Sequence, residues 1–285
     1  MHTQDPFYNA RQLFPRGLEQ PQGSLRFGAD ALLLAAFAAR NVESMNGARR
    51  KELAAAELGC GCGAALLALV LRCDTVTGLG LEREAPLVQA ACANARHLGL
   101  TDRLRFAQAD LADTAFMPTL PATWGYRTGS LDLVIANPPY GVEGRPSPSH
   151  LRERALRGTQ GKEDRAHVLA FFCRAAATLL RHQGYFFCIY DALALPLLSG
   201  ALDVAGFGLR TLLPVRTHAS RPALRVLVLA RKNTAHQCTI EAPLTLHTGK
   251  ARTDQSGKPQ VDTAQGTTGG SRWSAQALRF CPWLA

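Results

Sequence analysis

The chain has 285 residues, 47% of them hydrophobic and 19% charged, with a formal net charge of +10. That length can bury a large core and fits one domain with additions at either end. The longest apolar stretches, Ala31–Ala39 and Ala64–Leu71, fall short of the ~20 residues a membrane helix needs, which excludes a membrane-spanning helical protein.

Read in chain order, residues 1–50 form an entry segment. It runs from a polar, Pro-containing start through Arg26-Phe27-Gly28-Ala29-Asp30 into a helix over Ala31–Ala39, with Asp30 placed as its N-cap. Strands and helices then alternate. Glu52–Leu58 reads as a strand, Gly63–Arg72 as a helix opening from a Gly-rich turn, and Thr75–Leu81 as a strand. Arg83–Leu98 reads as a helix with Pro86 in its first turn, followed by strands Leu104–Ala109 and Leu131–Ala136. Asp164–Arg181 is an amphipathic helix and Gly184–Tyr190 a strand, while Ala192–Ala205 suits a helix disturbed in its middle by Pro196. Leu209–Val215 and Ala223–Arg231 flank a short polar loop, as an antiparallel pair closing the sheet does. The core, residues 51–235, is thus an α/β doubly wound, mainly parallel sheet with ligands expected beyond the C-terminal strand ends. In the tail, 236–285, a polar and flexible loop is expected at about 249–271, and Arg272–Ala285 carries enough aromatic residues to dock back.

Charge and cysteine narrow the setting. The first twenty residues lack the apolar stretch of a secretory signal, and eight scattered cysteines do not make a disulfide scaffold, so a reducing cytoplasm is expected. Cys60-Gly61-Cys62 has no second Cys/His pair at ligand spacing, and no metal is expected. The positive charge points to a polyanionic partner. It gathers in Arg145, Arg152, Arg154 and Arg157, and again in Arg210, Arg216, Arg221, Arg225, Arg231 and Lys232, where no acid falls between Asp203 and Glu241. A merely solvated basic surface is the plainer account.

Four strand ends carry chemistry. After the first comes Glu57-Leu58-Gly59-Cys60-Gly61-Cys62-Gly63, whose glycines allow positive φ and close approach to a ligand. The second ends at Glu82, about twenty residues on, where a carboxylate can accept both hydroxyls of a ribose. The third ends at Asp110, which can accept from the amine of an adenine. The fourth ends at Asn137-Pro138-Pro139-Tyr140. Two prolines stiffen this corner and leave carbonyls without N–H groups. Asn137 and the Pro138 carbonyl can accept two amine protons there while Tyr140 stacks on a planar ring. His150 and His167 read as surface or helix-face residues without a catalytic part.

In this order the four ends resemble those of class I S-adenosylmethionine-dependent methyltransferases, with a Rossmann-like seven-stranded sheet and an antiparallel last strand pair. The resemblance implies that Glu57, Gly59, Gly61 and Gly63 hold the methionine end of S-adenosylmethionine, Glu82 its ribose and Asp110 its adenine, with Asn137 also among the cofactor-binding residues. Asn-Pro-Pro-Tyr marks the members that methylate planar amino nitrogens. The segment from Arg26 to Leu34, Ser147-Pro148 and Arg225–Val228 are similar to bacterial tRNA adenine-N6 methyltransferases acting near the anticodon. That likeness implies that Arg26, Phe27 and Asp30 help cover the cofactor, that tRNA is the partner and that the protein is a monomer. Release-factor-type glutamine N5-methyltransferases use the same corner, and guanine-N2 enzymes of ribosomal RNA a similar one. A non-catalytic RNA-binding module is the remaining alternative.

Overall fold

A computed structural model describes residues 7–46, 52–113, 127–140, 165–249 and 272–285, with Gly125, Ser149 and Arg152. The 249–271 loop beyond Gly249, the start of the helix at Asp164, and Arg145, Ser147, Pro148, His150, Arg154 and Arg157 lie outside the described residues.

The elements are α1 (Tyr8–Leu13), α2 (Ala29–Asn46), β1 (Leu53–Leu58), α3 (Ala64–Arg72), β2 (Val76–Glu82), α4 (Ala85–His97), β3 (Leu104–Gln108) and β4 (Leu131–Ala136). They continue with α5 (Arg165–Leu179), β5 (Leu180–Asp191), α6 (Leu195–Val204), β6 (Phe207–Arg216) and β7 (Arg225–Lys232). Short strands β8 (Thr239–Ile240), β9 (Leu244–Thr245), β10 (His247–Thr248) and β11 (Arg272–Trp273) precede α7 (Ala275–Phe280).

One sheet organises the molecule in the order β3-β2-β1-β4-β5-β7-β6. The first five strands are parallel, and β7 runs antiparallel to both β5 and β6. This is the expected seven-stranded, Rossmann-like arrangement. Two-residue strands β8 and β9 add to β6 and make the sheet nine-stranded. They are too short for a period-2 pattern to show in sequence.

Residues along each strand alternate between two cores. Leu133, Ile135, Phe187 and Ile189 face α2, α3 and the tail, whereas Val134, Ala136, Phe186, Cys188 and Tyr190 face α5 and α6. Burial on both faces explains why β1 and β4 read as unbroken apolar runs. Helix α2 is longer than expected because it lies between the sheet, α3 and the tail, with Leu33, Leu34 and Phe37 fully buried. The tail docks as expected: the ring of Trp283 meets Phe14 edge-on at 4.8 Å, and Cys281 is buried.

Most element ends fall within two residues of expectation, and three local readings need correction. Pro196 does not disturb a helix. A 3₁₀ turn covers Ala192–Ala194, and α6 begins at Leu195, so Pro196 occupies a first turn where its missing N–H costs nothing. The strand expected at Gly184 begins at Leu180, directly after α5. Asp30 is not an N-cap; α2 starts one residue earlier and the Asp30 side chain is engaged elsewhere.

Candidate active site

The parallel register fixes the site. Leu58 pairs with Leu81 on one side and Ala136 on the other, so Gly59, Glu82 and Asn137 leave three adjacent strands at one level. Asp110 follows β3 two residues beyond Gln108, which pairs with Glu82. Four strand ends far apart in sequence therefore share one sheet edge.

The glycines of the first turn divide by role. Gly59, Gly61 and Gly63 all have positive φ, at 64°, 55° and 86°. A Cβ at Gly59 would lie 3.2 Å from Phe172, and one at Gly63 would lie 3.0 Å from Phe106. Those two glycines serve packing. A Cβ at Gly61 meets nothing within 4 Å, so its backbone faces open space. Glu82 borders that space. Its two oxygens accept one backbone N–H each, from Gly61 at 2.9 Å and Glu84 at 3.0 Å. A carboxylate has about four acceptor sites, so acceptor capacity remains for a hydroxyl donor. Asp110 is exposed, and its Oδ1 accepts from Ala112 N at 3.0 Å.

Glu57 is 4% exposed and points under the turn. Its Oε2 accepts from Leu66 N at 2.9 Å, satisfying a first-turn amide of α3, which has no side-chain cap of its own. Burial pushes the Glu57 carboxyl up to about 8, against the pull of the Leu66 N–H and helped by the charge of Glu82. In the unfolded chain it titrates near 4.5. The native state therefore binds the extra proton between those values, and stability is expected to fall as pH rises from about 4.5 to about 8. Glu57→Gln should flatten that slope, removing a loss of a few kcal/mol in urea denaturation compared at pH 5 and pH 8. Burial also holds the neighbouring thiols protonated, Cys62 being pushed up to about 12.

A link absent from the sequence reading joins this turn to the entry segment. Asn94 of α4 is 1% exposed. Its Oδ1 accepts from Glu19 N at 2.6 Å, and its Nδ2 donates to Glu19 O at 3.1 Å and Cys62 O at 3.0 Å. Only the side-chain type, a polar residue within the apolar face of a helix, signals it in sequence. Arg26 is exposed, and the half-buried Phe27 donates its N–H to Gln20 Oε1 at 3.1 Å.

Asp30 reaches the Asn137 corner. Tyr140 Oη lies 2.9 Å from Asp30 Oδ2 and 2.6 Å from Asn137 Oδ1. Arg225 Nε donates to the same Asp30 oxygen at 3.0 Å, and its guanidinium covers the Tyr140 ring at 4.2 Å. Tyr190 meets that ring edge-on at 5.4 Å and donates to Pro139 O at 3.4 Å. Tyr140 is thus braced by its own protein on one face, one edge and the hydroxyl. Burial, reinforced by the charge of Asp30, pushes the phenol well above its ordinary value and keeps its proton on.

The basic run does not form one surface. Because β7 is antiparallel, it carries Arg225 at the site edge and Arg231 and Lys232 at the opposite edge, about 23 Å away at ~3.3 Å per residue. Arg231 donates to Gln183, and Lys232 Nζ to the carbonyls of Ala177 and Leu180. Arg210 donates to Gln237. Arg216 and Arg221 lie on the site side, beside the β6–β7 turn, and Arg152 is exposed.

No family model matches the chain. It is 25% identical over 214 residues to the tRNA1(Val) (adenine(37)-N6)-methyltransferase of Pedobacter heparinus, covering 74% of this chain and 79% of that one. It is 29% identical over 135 residues to the release factor glutamine methyltransferase of Nitratidesulfovibrio vulgaris, covering 45% of this chain. The chain spans only 41% of that relative's length, and 22% of the same-named protein of Rhodospirillum rubrum. Among solved structures, a predicted O-methyltransferase from Agrobacterium tumefaciens superposes with a TM-score of 0.57. It is 21% identical and covers 81% of this chain and 92% of its own. The fold is that of the Rossmann-like, class I methyltransferases, and the likeness implies S-adenosylmethionine as cofactor. The open cradle at Gly61, bordered by a carboxylate with acceptor capacity to spare, fits that molecule. Among the described residues no helix is long and apolar enough to cross a membrane.

Proposed function

We propose that this chain is an S-adenosylmethionine-dependent N-methyltransferase acting on the exocyclic N6 of an adenine in tRNA near the anticodon. The observation that carries the reading is the placement of Asn137-Pro138-Pro139-Tyr140 at the end of the strand beside the Gly59–Gly63 turn. Gly61 and Glu82 would hold the methionine and ribose ends of the cofactor, with Asp110 beside its adenine. Bound there, S-adenosylmethionine supplies an activated methyl group. Asn137 and the Pro138 carbonyl accept the two protons of the target amine and turn its lone pair out of the ring plane. An unpaired loop base is the easiest to place so, at a cost of a few kcal/mol. The cationic product amine is acidic and loses its proton to water, so no side chain is needed as a strong base. Arg152, Arg216 and Arg221 would contact RNA phosphates, which would make binding salt-dependent.

Support for the RNA substrate comes from the extent of likeness. The match to the tRNA enzyme, over 214 residues, takes in more of the chain than residues 51–235 can supply, whereas the match to the release factor enzyme runs over 135 residues. The same corner could also receive a glutamine side-chain amide, and one experiment separates the two. Incubated with labelled cofactor, undermodified tRNA and release factors, the protein should label N6 of adenine in tRNA. Label found only in protein would overturn the RNA reading.

A further inference from the structure

Asn137 can serve the proposed reaction only if its carboxamide oxygen faces the amine, and the groups around Tyr140 decide which way it turns. The phenol oxygen has two close neighbours, Asp30 Oδ2 at 2.9 Å and Asn137 Oδ1 at 2.6 Å, and both are acceptors. It carries a single proton, so it can donate to one of them alone. The two ends of a carboxamide exchange by a half turn about the last side-chain bond, and hydrogen-bond partners choose between them.

We propose that Asp30 is a positioning residue that fixes the orientation of the Asn137 carboxamide by taking the Tyr140 proton. With the hydroxyl committed to Asp30, an Oδ1 at 2.6 Å would meet Tyr140 Oη with no proton between the two oxygens, so the carboxamide turns over and its NH2 donates to Tyr140 Oη. Its Oδ1 is thereby turned away from Tyr140 and toward the substrate. Arg225 secures the arrangement twice, through the 3.0 Å contact to Asp30 Oδ2 and by lying over the ring. An ionised carboxylate is a stronger acceptor than a carboxamide oxygen, which sets the direction of the chain of bonds. Without Asp30 the same hydroxyl would donate to Asn137 Oδ1 and hold that oxygen in the unproductive direction. Three residues separated by up to 195 positions thus act on one amide. The inference rests on the amine-clamp role of Asn137 given under Proposed function.

Two measurements test it. In the protein without cofactor, NMR should show a strong contact between an Asn137 side-chain NH2 proton and the Tyr140 ring, and Asp30→Asn should weaken it. Absence of that contact in the wild type would overturn the inference independently of any activity. In kinetics with undermodified tRNA, Asp30→Asn should lower kcat roughly 10- to 100-fold, a loss larger than any change in KM or cofactor affinity. Adding Tyr140→Phe removes the hydroxyl that traps Oδ1, so the double variant should be faster than Asp30→Asn alone. A merely structural brace predicts a double variant no better than the single one, and that result would sink the proposal. Should Asp30→Asn fail to fold, Tyr140→Phe alone decides, since an unchanged kcat contradicts a hydroxyl that anchors the amide. A wild type that labels no amino nitrogen overturns the function together with the inference, whereas a wild-type rate in Asp30→Asn overturns the inference alone.

Discussion

Asn137→Ala is expected to slow methyl transfer by roughly 10²- to 10³-fold while leaving S-adenosylmethionine affinity unchanged. As the amine takes on the methyl group its nitrogen becomes positive and its N–H groups become stronger donors. An acceptor fixed beside them binds that state more tightly than the neutral amine, and only such differential binding raises kcat. The substitution therefore removes an interaction that grows along the reaction. Single-turnover rates with labelled cofactor, alongside calorimetric titration, separate the two effects. A near-normal rate with cofactor bound would remove the amine clamp from the mechanism.

Glu82→Ala should have its effect one step earlier, weakening S-adenosylmethionine binding roughly 100-fold, about 2.7 kcal/mol. The carboxylate is proposed to accept two ribose hydroxyls, and hydrogen bonds to a charged group contribute about 1.5–3 kcal/mol each. It also receives the Gly61 and Glu84 amides, so its loss frees the turn that shapes the cradle. Glu82→Gln should fall between the two, because its NH2 faces one of those N–H donors and only one acceptor survives. Calorimetry with S-adenosylmethionine and with its demethylated product, measured on all three proteins, checks this. An unchanged affinity for Glu82→Ala would end the ribose assignment.

Short-range chemistry made part of this site legible before any coordinates. The Gly59–Gly63 turn and the Asn137 corner each follow an apolar run, and Glu82 and Asp110 end the strands on either side of a helix, so the alternation of elements placed all four on one edge. What sequence reasoning missed depends on distant partners. Asp30 is 110 residues from Tyr140 and 195 from Arg225, and Asn94 is 75 from Glu19. Arg225 looked like one member of a basic patch because its neighbours in sequence are basic. The antiparallel run of β7 sends Arg231 and Lys232 to the far edge of the sheet and leaves Arg225 over Tyr140. Glycines told a similar story: three looked equivalent, and only the packing of Phe172 and Phe106 shows that Gly61 alone faces open space.

The buried carboxamide of Asn94 holds Glu19 and Cys62 at once, so the position of the entry segment and the shape of the Gly59–Gly63 turn are tied through one side chain. Linkage then runs both ways. A macromolecule that docks on the entry segment and favours its ordered state must raise affinity at the turn. Occupation of the turn must raise affinity for that macromolecule by the same factor. Under the proposed function, cofactor and RNA would be coupled through Asn94, with no contact between them required.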